Sequence, residues 1–183
     1  MEEELEADTL EVNAVASFDV GQRHLALCVM GPGGREELID LKLMDLGAGP
    51  PRKAVKNMIS KLDSLPSLQY ATSAALEAQP RVNPTMKAIC HAIQTWFLCR
   101  RGVEFPVHFV SPCLKLTVLS AASTGRLSYQ QRKKQAVTDA RALLPAAWKP
   151  TFESHIKKDD LADAFLQALV VIGQGKLVGE DQD

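Results

Sequence analysis

Residues 13–46 read NAVASFDVGQRHLALCVMGPGGREELIDLKLMDL, and the folding of this stretch decides the architecture. Asn13–Val20 is an apolar run interrupted near its end by Asp19, which predicts a strand with a carboxylate at its tip. Gly21 permits a turn, and His24–Met30 is a second apolar run. Gly31-Pro32-Gly33-Gly34 is a strong turn signal. Glu37–Leu46 then alternates with a period close to two, which predicts a third strand. Three strands joined by short turns predict an antiparallel meander.

Downstream the pattern changes. Pro50-Pro51 opens a predicted helix, Arg52–Leu65, with Val55, Met58, Ile59 and Leu62 on one stripe. Ser73–Ala78 is a fourth strand carrying Glu77 near its end. Pro84 opens a long helix to Arg101, closed by Gly102. Pro106–Val110 is a fifth strand. Ser128 is placed to cap Tyr129–Leu144, with Gln131 at the capping-box position. Lys157–Ile172 is the last predicted helix, closed by Gly173. The order β-β-β-α-β-α-β-α-α predicts an α/β fold with a mixed five-stranded sheet and helices on both faces. That is the element order of the ribonuclease H-like fold.

Composition narrows the class. The 183 residues are 46% hydrophobic and 23% charged, values of an ordinary globular domain that exclude collagen-like and disordered chains. Apolar runs such as 168–173 are far short of the ~20 residues that span a bilayer, so no membrane partner is expected. No secretory signal is visible at the start. Cys28, Cys90, Cys99 and Cys113 match no zinc spacing, so they read as free thiols of a reducing, intracellular setting. The net charge of −1 hides an uneven distribution. Nine of the 22 acids lie in residues 1–11 and 180–183, whereas all 21 Lys and Arg lie between, giving that body a charge of +8. A basic body between acidic ends fits a polyanionic partner.

Four acids stand out by position. Asp19 and Glu77 end strands in apolar surroundings, where an isolated carboxylate is costly. Asp160 and Asp163 are three residues apart on the last helix, so they lie about 60° apart on one face. The helix dipole explains acids at a helix start, which covers Asp159 and Asp160. It does not explain Asp163, which lies deeper between Ala162 and Ala164. Converging carboxylates raise each other's pKa unless cations neutralise them. Hard oxygen donors of this kind suit Mg²⁺ or Mn²⁺. His24, His91, His108 and His155 show no ligand spacing, although His24 and His155 flank the acidic segments.

Here the sequence resembles a known family. Ser17-Phe18-Asp19-Val20-Gly21, Leu76-Glu77-Ala78-Gln79-Pro80 and Lys157-Lys158-Asp159-Asp160-Leu161-Ala162-Asp163-Ala164 are similar to the motifs of RuvC-type Holliday junction resolvases, those of poxviruses above all. Ser128-Tyr129-Gln130-Gln131-Arg132-Lys133-Lys134 resembles the basic helix start of that family. The likeness runs from about Ala14 to Val171, and the last-helix motif is its most specific part. His24 stands where the pattern has an Asn, and the acidic ends look like additions. The resemblance implies that Asp19, Glu77, Asp160 and Asp163 are the catalytic and metal-holding acids. It also implies a homodimer acting on branched DNA, in the cytoplasm of an infected host cell.

The expected activity is metal-dependent, structure-selective cleavage of four-way junctions. Two Mg²⁺ or Mn²⁺ ions per site, about 3.5–4 Å apart, are the expected cofactors. Arg132, Lys133, Lys134, Lys157 and Lys158 are the expected DNA-binding residues, since cations that open a helix oppose its dipole unless a polyanion is present. Residues 1–12 are expected to be a disordered acidic tail, 13–175 the nuclease domain and 176–183 an acidic C-terminal tail. Two other readings are a ribonuclease H-type nuclease on RNA–DNA hybrids and an inactive DNA-binding scaffold. Actin-like ATPases and sugar kinases share an Asp-x-Gly hairpin, but they need a second lobe for which 183 residues leave no room. In the helix Pro84–Arg101 the apolar arc is roughly 200° wide, broader than the ~100° that one core requires. The surplus predicts a dimer interface centred on Ile89, Ala92 and Trp96.

Overall fold

The computed structural model describes residues 14–78, 83–111 and 128–179, with side chains to 173. Cys113, Gln79, Pro80 and the acidic stretches at 1–12 and 180–183 lie outside the described residues. Five strands form one sheet in the order β3-β2-β1-β4-β5. The first three are β1 (Ala14–Val20), β2 (His24–Met30) and β3 (Leu38–Asp45). They pair antiparallel, as the meander predicts. β4 (Ala71–Glu77) and β5 (Val107–Val110) add to β1 in parallel. The mixed sheet expected from the element order is therefore present.

Strand alternation sends successive side chains to opposite faces, and the two faces build two cores. Ala16, Phe18 and Val20 of β1, with Leu25, Leu27 and Val29 of β2, face α1 (Pro51–Asp63) and α2 (Pro84–Arg101). Ala26, Cys28 and Met30 of β2 face α3 (Tyr129–Leu143), α4 (Lys149–Ser154) and α5 (Lys158–Gly179). Each fully buried large side chain contributes roughly 1.5–3 kcal/mol. Helices thus cover both faces.

Local chemistry sets the helix starts. The Asn83 side chain accepts from the Met86 N–H to cap α2. Ser128 and Gln131 form the expected capping box on α3. Gly102, at φ 101°, ends α2 in a conformation that disfavours any residue with a Cβ. Gly173 does not end α5. It keeps a helical conformation, and the helix continues to Gly179. A glycine inside a helix costs only about 1 kcal/mol relative to alanine, so it does not force a stop. The short helix α4 was not expected from the sequence.

Of the three residues expected to centre an interface on α2, the structure withdraws Ile89 and leaves Ala92 and Trp96 half-buried. Ile89 is completely buried in the subunit's own core beside Phe97 and Leu76. Trp96 is half-buried, and its Nε1–H donates to Asp63 of α1 at 2.7 Å. Its ring stacks edge-on against Phe97 and lies under the Arg100 guanidinium. Arg100 meets the same Asp63 oxygen at 2.8 Å. The subunit's own core takes Ile89, Cys90, Ile93 and Phe97, while Ala92 and Trp96 stay half-buried and Ala88 and Cys99 stay exposed. Ile89→Ala is expected to lower the unfolding free energy by about 2–5 kcal/mol in urea denaturation, as a core deletion does. Ile89→Glu should yield unfolded protein rather than a folded monomer.

Candidate active site

The parallel pairing of β1 and β4 places two acids side by side. Phe18 and Leu76 are register partners, and the next residue on each strand is Asp19 and Glu77. Phe18 and Leu76 enter the core beneath α1 and α2. Alternation therefore turns Asp19 and Glu77 toward the α5 side, at the C-terminal edge of the sheet. Both are half-buried. The thiol of Cys90 reports the same placement from below. Burial, then the charges of Asp19 and Glu77, push it up to about 12.

Helix α5 brings the other pair. Its direction follows from three contacts. Val171 and Ile172 pack against the cluster of Val15, near the start of β1, with Ala75 and Val110. Leu169 lies against Gly34, in the 3-10 turn that follows β2. Gln167 reaches Ser17, Phe18 and Ala75, further along the strands. Moving toward the N-terminus of α5 thus tracks toward the C-terminal ends of β1 and β4. Asp163 stands four residues before Gln167, about one turn nearer that edge, and Asp160 nearly one turn nearer still. Asp160 is half-buried and feels His24, at the start of β2. The structure gathers Asp19, Glu77, Asp163 and Asp160 at one end of the sheet from three elements.

The electrostatics separate the neighbouring acids. The Asp160 carboxyl is raised above its ordinary range, first by burial and then by Asp159, against the opposing pull of Lys133, Lys157 and His24. Burial also works to raise Asp159. Its hydrogen bond and ion pair with Lys133 outweigh that, and hold it below the ordinary range. Lys133 Nζ donates to Asp159 across the α3–α5 gap and lies 5.3 Å from the centre of the Tyr129 ring. Of the expected DNA-binding cations, Lys133 is thus committed to Asp159. Arg132, Lys134 and Lys157 are exposed, and Lys158 approaches Glu153 at 3.8 Å.

Hard carboxylate oxygens, one of them resisting ionisation, fit a divalent cation. Among the described residues, no three His, Cys, Asp or Glu side chains close into a single ion-holding group. The fit therefore rests on donor chemistry and shared location. Two participants escaped the sequence reading. Cys90 gave no signal. Gln167 did: it is the sole polar residue in 164–173, one turn beyond Asp163.

Comparison with known proteins places this arrangement. The family described as Poxvirus A22 protein matches residues 13–174. The chain belongs to that family. The solved structures similar to this A22-family chain include Thermus thermophilus RuvC in complex with a Holliday junction substrate, at TM-score 0.65 and 19% identity over 90% of this chain and 95% of that one. The fowlpox virus Holliday junction resolvase matches at TM-score 0.58 and 16% identity, over 88% and 98%. The yeast mitochondrial Holliday junction resolvase matches at TM-score 0.58 and 14% identity, over 92% and 81%. Among the curated proteins no match was found. The ribonuclease H-like fold and the RuvC-type resemblance are both borne out.

The pKa directions give opposite expectations for adjacent acids in metal-free protein. The raised Asp160 costs stability that builds up as pH rises from its unfolded pKa to its folded one and is fully present above, because ionising it is harder in the folded state. The lowered Asp159 contributes stability above its unfolded pKa, and loses it as pH falls through the folded one. In EDTA at pH 7, Asp160→Asn should raise the thermal midpoint and Asp159→Asn should lower it. Differential scanning fluorimetry at pH 7 and pH 3 checks this, and the Asp160→Asn gain should vanish at pH 3.

Proposed function

We propose that this A22-family chain is a metal-dependent endonuclease that resolves four-way DNA junctions. The observation that carries the reading is the convergence of Asp19, Glu77 and the α5 acids on one sheet edge, in a chain of this family and fold. Asp19, Glu77, Asp160 and Asp163 would hold the ions, Mg²⁺ or Mn²⁺, two per site. When bound, such ions activate a water and neutralise charge developing on the phosphate. The carboxylates themselves orient and do not attack. Burial and the neighbouring Asp159 carboxylate make the Asp160 carboxyl resist ionisation, a cost that a bound cation would offset.

Exposed Arg132, Lys134 and Lys157, with Lys158 beside them, would hold DNA phosphates against this edge. Lys133 acts there through Asp159, tying α3 to α5 so that the basic helix start and the acids keep one relative position. The thermophilic RuvC structure similar to this chain is a complex with a Holliday junction. A branched substrate with two-fold symmetry calls for two matched cuts, so we propose a two-fold homodimer with one site per chain. Among the described residues no helix is long and apolar enough to cross a membrane. The family is one of poxvirus proteins, and we place the activity in the cytoplasm of the infected cell.

The decisive experiment incubates the protein with Mg²⁺ or EDTA on a four-way junction, a linear duplex and an RNA–DNA hybrid. Paired nicks on the junction alone, abolished by EDTA, are expected. Cutting of the hybrid in preference to the junction would favour a ribonuclease H-type enzyme. Binding with no cutting would favour an inactive scaffold. Asp19→Asn, Glu77→Gln, Asp160→Asn and Asp163→Asn should each abolish cleavage with junction binding retained. Arg132→Ala with Lys134→Ala should weaken binding and flatten its dependence on log[salt] by up to ~0.9 per lost phosphate contact. Light scattering should give a dimer mass.

A further inference from the structure

We infer that Gln167 is a positioning residue for the metal-holding acids, retained for the alignment of α5 rather than for stability. The inference rests on reading Asp19, Glu77, Asp160 and Asp163 as the ion-holding set. Gln167 is completely buried, and its Nε2 lies 3.1 Å from Ser17 Oγ, 3.3 Å from the Phe18 carbonyl and 3.1 Å from the Ala75 carbonyl. Those are the residues just before Asp19 on β1 and two before Glu77 on β4. One amide therefore spans both acid-bearing strands from a helix whose own acid, Asp163, is one turn away.

Stability alone does not account for this residue. Its neighbours along the helix, Ala164, Leu166, Ala168 and Val170, are all buried and apolar. Its two N–H groups are shared among three acceptors, and its Oε1 has no hydrogen-bond partner among the described residues. A buried unpartnered amide oxygen is costly, and an apolar side chain of similar size avoids that cost. What an apolar side chain does not supply is direction. Apolar packing lets α5 slide or turn slightly over the sheet, whereas hydrogen bonds to two neighbouring strands pin its height and rotation. A small rotation of α5 at Gln167 carries Asp163 and Asp160 away from Asp19 and Glu77. Partners that orient metal ligands typically matter 10- to 100-fold in metal affinity or activity when removed.

The test uses Gln167→Met, which keeps the volume and loses the donors. It also uses the double variant Ser17→Ala with Gln167→Met, which removes the matching buried hydroxyl as well. Four quantities are measured on full-length protein: thermal midpoint, Mn²⁺ affinity by titration calorimetry without DNA, junction Kd in EDTA, and kcat on the junction. We expect the double variant to melt within a few degrees of wild type and to bind junction within about twofold. Its Mn²⁺ affinity and kcat should both fall, roughly 10- to 100-fold. Wild-type Mn²⁺ affinity and kcat in a folded variant would overturn the inference. So would a parallel loss of junction binding, or a failure of both variants to fold, because the amide would then be a stability element. Wild-type protein that binds Mn²⁺ at Asp19, Glu77, Asp160 and Asp163 yet leaves junctions uncut would sink the nuclease reading, while the calorimetric arm would still decide the role of Gln167.

Discussion

The parallel pairing of β1 with β4 is the interaction on which the rest of this molecule depends. It sets Asp19 next to Glu77, and two neighbouring carboxylates repel. An antiparallel or slipped pairing removes that repulsion and also removes the site. The register is held by what lies behind it. Phe18 and Leu76 are buried side by side over α1 and α2, and a slip of β4 by one residue would turn Leu76 out of the core and carry Glu77 in. Apolar burial thus imposes an arrangement that electrostatics alone opposes.

The same division of labour recurs at α5. Leu161, Phe165 and Leu166 bury this helix against β2 and α3. That burial is non-directional, and it accommodates Asp160 and Asp163 half-exposed at the sheet edge. The direction comes from polar contacts: Gln167 onto β1 and β4, and Lys133 onto Asp159. Lys133 also draws Asp159 aside. Adjacent acids therefore end with opposite pKa directions, Asp159 lowered by its lysine and Asp160 raised by burial and by Asp159. Two carboxylates on successive residues become a structural ion pair and a carboxyl that resists ionisation.

Away from this edge, the structure is held by contacts that leave the site alone. Asp63 collects Trp96 and Arg100 to join α1 to α2. Arg23, in the β1–β2 turn, clasps Asp45 at the end of β3, and Ser67 meets the buried Asp40 at 2.6 Å. These polar groups consume charges that the sequence offers with no indication of partner. The Trp96 contact also shows that part of the wide apolar arc of α2 is satisfied within the subunit. Periodicity shows that a residue seeks burial, and an apolar surface of the same subunit satisfies it as well as a second subunit would.

What the sequence by itself determined is local or periodic. The alternation of Glu37–Leu46, the glycine turn at 31–34 and the Ser128 capping box are short-range effects, and the elements they predict stand within a few residues of their expected bounds. The four acids were legible too, because a carboxylate at the end of an apolar run is anomalous where it stands. The spacing of Asp160 and Asp163 also fixes their common helix face. Tertiary structure alone decided the rest. No local rule indicates that Gln167 hydrogen-bonds residues some 90 and 150 positions earlier, or that Lys133 serves Asp159. Hydrogen bonds and ion pairs act over a few ångströms, and which groups come that close is set by the packing of α3 and α5 on the sheet. The sequence named the acids, and the packing determined which of them share an edge.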